Sequence, residues 1–140
     1  MIRLSSTAYR QIVDHALAGL PNEACGLLAG TESDGVREVR KVLCLTNIDH
    51  SNEHFSMDPR EQLAALRQAR EEGLTLLGNW HSHPESPSRP SEEDIRLAYD
   101  STASYLILSL QSRQAPNLNA FRIQGGAYAW DILELYDPEP

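Results

Sequence analysis

Two histidines stand two residues apart in Trp80-His81-Ser82-His83-Pro84, and a proline-rich stretch then leads to Pro90-Ser91-Glu92-Glu93-Asp94. On an extended strand, residues two apart face the same side, so His81 and His83 converge on one point while Trp80 turns into the opposite layer. Two imidazoles so placed suit a borderline-soft ion such as zinc. Ser91 and Asp94, three apart, share one face of a helical first turn. Asp94 would supply a third, carboxylate ligand and leave a fourth tetrahedral position for water. Three protein ligands plus water mark a catalytic zinc site rather than a structural one.

Each part also has a plainer reading. A His-x-His pair is commonly just two polar strand residues. Ser91 to Asp94 fits a capping box, in which both side chains serve only the helix terminus. The two readings compete for Asp94, whose carboxylate is expected to serve either the cap amide or a metal. The balance tips because His pair, stiff loop and Ser-x-x-Asp fall within fourteen residues. Hydrolysis needs a general base as well, to take a proton from water and pass it to the leaving amine. Of twelve glutamates, most belong to solvated faces, as do Glu61, Glu71 and Glu72. Glu23 stands apart at a helix-to-strand junction, just before an apolar run. Such a carboxylate is commonly a loop residue and sometimes a functional one; spacing alone does not choose it.

The elements that must position these residues are readable in outline. Tyr9, Ile12, Val13, Ala16, Leu17 and Leu20 repeat at helical spacing, with Ser5 or Ser6 as cap and an end by Gly19 to Pro21. Ala24 to Gly30 reads as a buried strand. A turn over Thr31 to Gly35 leads to a hairpin partner over Val36 to Thr46, and Asn47 to Met57 form a polar loop. Asp58, Pro59 and Glu61 predict a capped helix, Glu61 closing a capping box and Gly73 stopping it. Leu74 to Trp80 form a strand that runs into the histidines. Pro84, Pro87 and Pro90 stiffen the following loop, and Ser91 opens a third helix carrying Ile95, Leu97 and Ala98. Tyr105–Leu110, Ala120–Ile123 and Tyr128–Leu135 complete the strands, with Gly125-Gly126 as a turn. Residues 1–136 are expected to form a single domain and 137–140 a frayed tail. The alternation predicts an α/β fold with helices flanking a sheet.

Composition narrows the partners. The 140 residues carry a formal charge of −8, with 41% hydrophobic and 23% charged residues. Disordered and collagen-like chains are excluded. No Lys/Arg cluster offers a phosphate-binding patch, so nucleic acid is not an expected partner. No apolar stretch is long enough to cross a membrane, and the beginning lacks an apolar signal core, which together predict a cytoplasmic protein with no membrane partner. Cys25 and Cys44 lack CxxC spacing and read as buried thiols in apolar runs. His15 is expected at the surface of the first helix, and His50 and His54 in the polar loop, where His54 could line a substrate groove.

Taken together, Pro21-Asn22-Glu23-Ala24-Cys25-Gly26-Leu27-Leu28-Ala29-Gly30 and His81-Ser82-His83-Pro84…Pro90-Ser91-Glu92-Glu93-Asp94 resemble the JAMM (MPN-plus, JAB) metalloprotease family. That family pattern runs Glu, His-x-His-Pro, Ser-x-x-Asp. Phe55-Ser56-Met57-Asp58-Pro59 and Tyr105–Leu110 resemble the family too, so the likeness spans nearly the whole chain. The resemblance implies a curved mixed β-sheet flanked by helices, related to cytidine deaminases. The Pro-Cys-x-x-Cys of those deaminases is missing, which argues against base deamination. It further implies one catalytic zinc on His81, His83 and Asp94, Glu23 as acid/base, and Ser91 as oxyanion donor. The short segments around the motif are similar to small prokaryotic members that cleave after the Gly-Gly end of ubiquitin-like sulfur-carrier proteins. Two alternatives stand beside this: a non-catalytic scaffold of the same fold, and a general zinc endopeptidase.

Overall fold

The computed structural model describes residues 1–138. Along them run β1 (Ile2–Ser5), α1 (Ser6–Gly19), β2 (Cys25–Ser33), β3 (Val36–Leu45), α2 (Pro59–Glu71), β4 (Thr75–His83), α3 (Glu92–Arg96), β5 (Ser104–Ser109), β6 (Asn117–Gln124), β7 (Ala127–Asp131) and β8 (Leu133–Tyr136). The strands form one mixed sheet in the order β7-β6-β5-β4-β2-β3-β1-β8. Pairing is parallel for β1 with β3, β1 with β8 and β4 with β5, and antiparallel elsewhere. β7 and β8 are separated by Ile132 alone, yet they sit at opposite ends of that order. The sheet must therefore curl until its edges nearly meet. The seam is held by Ile2 N–H donating to Ile132 O at 2.9 Å and by the Met1 ammonium beside Asp131 at 3.2 Å.

The strand period of two sorts each strand onto two faces. One face carries Leu28, Trp80, Leu106, Leu108 and Ala120 and packs beneath α1 through Ile12, Val13 and Ala16. The other face is divided. Cys25, Leu27, Ala29, Leu43 and Leu45 lie under Ala65 and Ala69 of α2, while Tyr105, Ile107, Phe121 and Ile123 form a separate group touched by Ile95 and Ala98. Between these two groups the strand face is polar.

The helices start where local chemistry predicts. Ser5 Oγ accepts from Ala8 N–H, and Asp58 accepts from Arg60 and Glu61 N–H with Pro59 at the first position. Gly73 (φ 73°) ends α2, and Gly125 and Gly126 (φ 60° and 77°) turn the chain from β6 to β7, all in the left-handed region glycine tolerates.

Several sequence-based expectations are corrected. Glu61 does not close a capping box; its carboxylate binds Thr46 N–H and Oγ1, both at 2.7 Å, and ties α2 to the end of β3. The expected strand over Tyr128–Leu135 is two strands, because apolar alternation continues through Ile132 while curvature redirects the chain. α3 is a five-residue turn that leaves Leu97 exposed. The strand β2 runs to Ser33, so the turn shrinks to Asp34 and Gly35. β1 had no expectation at all. Cys44 is exposed, because its neighbours Leu43 and Leu45 take the inward positions of β3. His15 is half-buried, its Nε2 3.2 Å from Leu45 O and its ring edge-on to Trp80. Of the expected tail, residues 139 and 140 lie outside the described residues.

Candidate metal centre and its cleft

β4 lies inside the sheet, antiparallel to β2 and parallel to β5. Its last residues are gripped from both sides. Ser82 N–H donates to Ala24 O at 2.9 Å, its hydroxyl accepts from Ala24 N–H at 2.8 Å, and Leu110 N–H donates to His83 O at 3.0 Å. Trp80 is fully buried beneath α1, while His81 and His83 emerge on the divided face, both nearly buried. The Phe55 ring stacks on His81 at 4.8 Å.

The loop after Pro84 is stapled to β5. Ser88 Oγ donates to Ile107 O at 2.6 Å and Ser109 Oγ to Ser86 O at 2.7 Å. That brings Pro87 O within 2.8 Å of His83 Nδ1. A carbonyl only accepts, so Nδ1 carries the proton, and in the neutral ring Nε2 keeps its lone pair. The loop then delivers α3, where Ser91 Oγ accepts from Asp94 N–H and Asp94 Oδ2 accepts from Ser91 N–H, both at 3.0 Å.

That same Asp94 Oδ2 lies 3.1 Å from His81 Nε2 and 3.0 Å from His83 Nε2, and the two nitrogens are 3.1 Å apart. The expected competition between cap and cluster does not arise. One oxygen serves both, and the cap aims the carboxylate at the imidazoles. The three donors form a near-equilateral triangle. A tetrahedral zinc with ligands at about 2.0–2.1 Å spans about 3.3 Å between neighbouring donors, so the side chains fit such an ion. Burial by itself would raise the pKa of Asp94, but contacts from His81, His83 and Ser91 N–H override it and hold the carboxyl well below its usual range. Burial opposes charge on His83; the Asp94 carboxylate and Pro87 carbonyl outweigh it and push that pKa up.

Glu23 approaches from β2. Cys25 pairs with His81, and continuing that register sets Ala24 opposite Ser82 and Glu23 opposite His83. Its backbone is pinned by Glu23 N–H to Ser51 O at 2.7 Å and by Asn47 Nδ2 to Glu23 O at 3.0 Å. The side chain is buried, and Oε1 has no hydrogen-bond partner among the described residues. Burial pushes its pKa up to about 8, against a smaller downward pull from His83. The chain thus brings Glu23, His81, His83 and Asp94 to one place, with Ser91 attached through the cap. Sequence reasoning missed three supporting groups: Ser82, the Pro87 carbonyl and the Phe55 ring. The signals were there without the roles: a serine between two metal-type histidines, a proline in the stiff loop, and Phe55 in a segment that resembles the family.

A cleft of about 520 Å³ opens beside His81 and Asp94. Its floor is Tyr105, Ile107 and Ile123, one wall is Phe55 to Met57, and the other is Leu97 to Asp100. His54 does line it, its Nδ1 3.7 Å from Glu93 Oε2. His50 is exposed, with φ 48°.

A curled mixed sheet that presents two imidazoles and a carboxylate beside a buried glutamate defines the class of JAB-type hydrolases. Residues 5–124 match the family model for prokaryotic homologs of the JAB domain, and the chain belongs to that family. It is accordingly a peptidase-type hydrolase. The CysO-cysteine peptidase of Mycobacterium tuberculosis is 32% identical over 126 residues, covering 90% of this chain and 85% of its own. The probable TtuB-protein conjugate cleaving protease of Thermus thermophilus is 41% identical over 85 residues, 60% of this chain and 54% of its own. A solution structure of a Desulfitobacterium hafniense protein superposes with a TM-score of 0.92 at 46% identity, covering 99% of this chain and 94% of that one. Among the described residues, no helix is long and apolar enough to cross a membrane.

Proposed function

We propose that this chain is a zinc-dependent peptidase or isopeptidase that cuts after the C-terminal Gly-Gly of a ubiquitin-like or sulfur-carrier protein. The observation that carries the reading is the triangle of His81 Nε2, His83 Nε2 and Asp94 Oδ2 beside the buried Glu23. His81, His83 and Asp94 would hold the zinc, which when bound supplies acidified water and a polarised carbonyl. Burial pushes the Glu23 pKa in the metal-free site up to about 8, so its ionised and protonated forms are both within reach near neutral pH, and the ionised form is the base. It takes the proton from water and hands it to the leaving amine. Ser91 Oγ already accepts from Asp94 N–H, which leaves its own hydroxyl proton free to donate to the developing oxyanion. The substrate class rests on the relatives whose names specify a CysO-cysteine linkage and TtuB conjugates. Residues 1–136 act as one domain in this reading, and the cytoplasm is where it works.

The test is the intact mass of a ubiquitin-like sulfur carrier, extended beyond its Gly-Gly end, after incubation with zinc-loaded protein. Truncation directly after the glycines is expected. A Glu23→Gln variant should keep its zinc and lose about 10²–10⁴-fold in rate, the usual worth of a general base. An untouched carrier with zinc bound would redirect the reading to another peptide. An untouched carrier with no zinc bound would favour a scaffold.

A further inference from the structure

The cleft extends past the metal centre. Beyond it lies a second recess of about 170 Å³, and Gln62 and Asn79 line both spaces. Asn79 is two residues before His81 on β4, so it stands on the same face, about 6.6 Å along the strand. That distance is two residues of an extended chain. Gln62 enters the same spaces from α2. Among the described residues neither side-chain amide is engaged in a hydrogen bond, whereas the Asn47 and Asn119 amides are. Arg37 also lines the second recess, crossing from β3 to donate to Leu77 O at 3.0 Å and Ser104 Oγ at 2.9 Å.

A pocket that is mostly apolar with a few placed polar groups owes its selectivity to those groups. An amide side chain offers both a donor and an acceptor, matching the N–H and C=O of a peptide unit. We infer that Asn79 and Gln62 are positioning residues that clamp the backbone of the bound polypeptide, two residues from the bond to be cut. The clamp sets the register of the tail against the metal centre and favours residues small enough for the main chain to reach both amides. This rests on the peptidase reading above and adds to it which groups hold the tail.

The experiment compares wild type with Asn79→Leu and Gln62→Met, which keep volume and remove hydrogen bonding. Binding of a fluorescein-labelled peptide ending in Gly-Gly is read by anisotropy, and cleavage of the extended carrier by kcat and KM. Each variant should weaken binding and raise KM roughly five- to tenfold, the worth of about one hydrogen bond, with kcat, zinc content and unfolding midpoint unchanged. An ester in place of the peptide's amide two residues from its C-terminus should weaken binding to wild type and leave Asn79→Leu unaffected. Weaker variant binding with no carrier cleavage by wild type would support the clamp and overturn the substrate reading. Cleavage with unchanged KM in both variants would overturn the clamp and leave the reading standing. A wild type that neither binds nor cleaves would overturn both.

Discussion

The two faces of the sheet are built to different ends. Under α1, one apolar layer runs without interruption from Ile2 and Leu4 through Leu28 and Trp80 to Leu108 and Leu110. On the other face the apolar residues fall into two groups, and the polar strip between them holds Asn79, His81 and His83. β4 belongs to both faces: alternate residues fill the continuous layer or line the cleft. The difference teaches that the continuous face supplies the rigidity that lets the divided face keep buried polar and ionisable groups in place. Stability and chemistry should therefore separate by face, even between adjacent residues.

The largest effect is expected where the strands touch with no room for a side chain. A methyl at Gly78 would overlap the Ser104 carbonyl oxygen at the start of the β4–β5 seam. Gly78→Ala should therefore prevent folding or shift chemical denaturation by several kcal/mol, about the upper range of single-site effects. Trp80→Ala should cost about 3–5 kcal/mol by the same measurement. Its immediate neighbour His81→Ala should change stability far less and abolish peptidase activity. Equal stability losses at 80 and 81 would erase the distinction between faces.

Next comes the pH dependence of the metal-free protein. Glu23 has a folded pKa of about 8 against an ordinary value of 4.5. The folded state then binds the proton more tightly than the unfolded one. Glu23's contribution to stability is fullest below about 4.5, declines as pH climbs toward 8, and stays lowered above that. His83, also pushed up, adds to the same decline. Glu23→Gln should remove Glu23's share, so urea midpoints of wild type and variant should diverge between pH 5 and pH 9, the variant being the more stable at the alkaline end. Parallel midpoints would mean that Glu23 is not desolvated.

A smaller effect is expected at the cap. Ser91→Ala should lose about 1 kcal/mol, as helix caps do, and keep its zinc, since Asp94 retains both imidazole contacts. The smallest belongs to the exposed surface. Lys41 Nζ bridges Glu72 at 2.8 Å, and Lys41→Met should move the unfolding midpoint by less than about 1 kcal/mol, as pairs in water do.

Much of this was legible in the sequence because it is periodic or local. The period of two separated Trp80 from His81 and His83, and Ser91 to Asp94 was readable as a cap. Glu23 could not be chosen by spacing, since what selects it is the register that pairs Cys25 with His81, and register is a property of the assembled sheet. The clasp between Ser82 and Ala24 is hidden for the same reason. The break at Ile132 was invisible because closure of the sheet, not local propensity, imposes it. Spacing alone sets Asp94 a choice between two partners; in the structure one carboxylate oxygen meets both, delivered by the loop stapled through Ser88 and Ser109.

The most direct test of the divided face as a metal centre is zinc content after equilibrium dialysis, measured on wild type, Asp94→Ala and Ser91→Ala together with their unfolding midpoints. The account predicts about one zinc per chain in wild type and Ser91→Ala, as a single tetrahedral site requires, and little in a folded Asp94→Ala. Zinc bound equally by all three would contradict it and leave Asp94 as a helix cap alone.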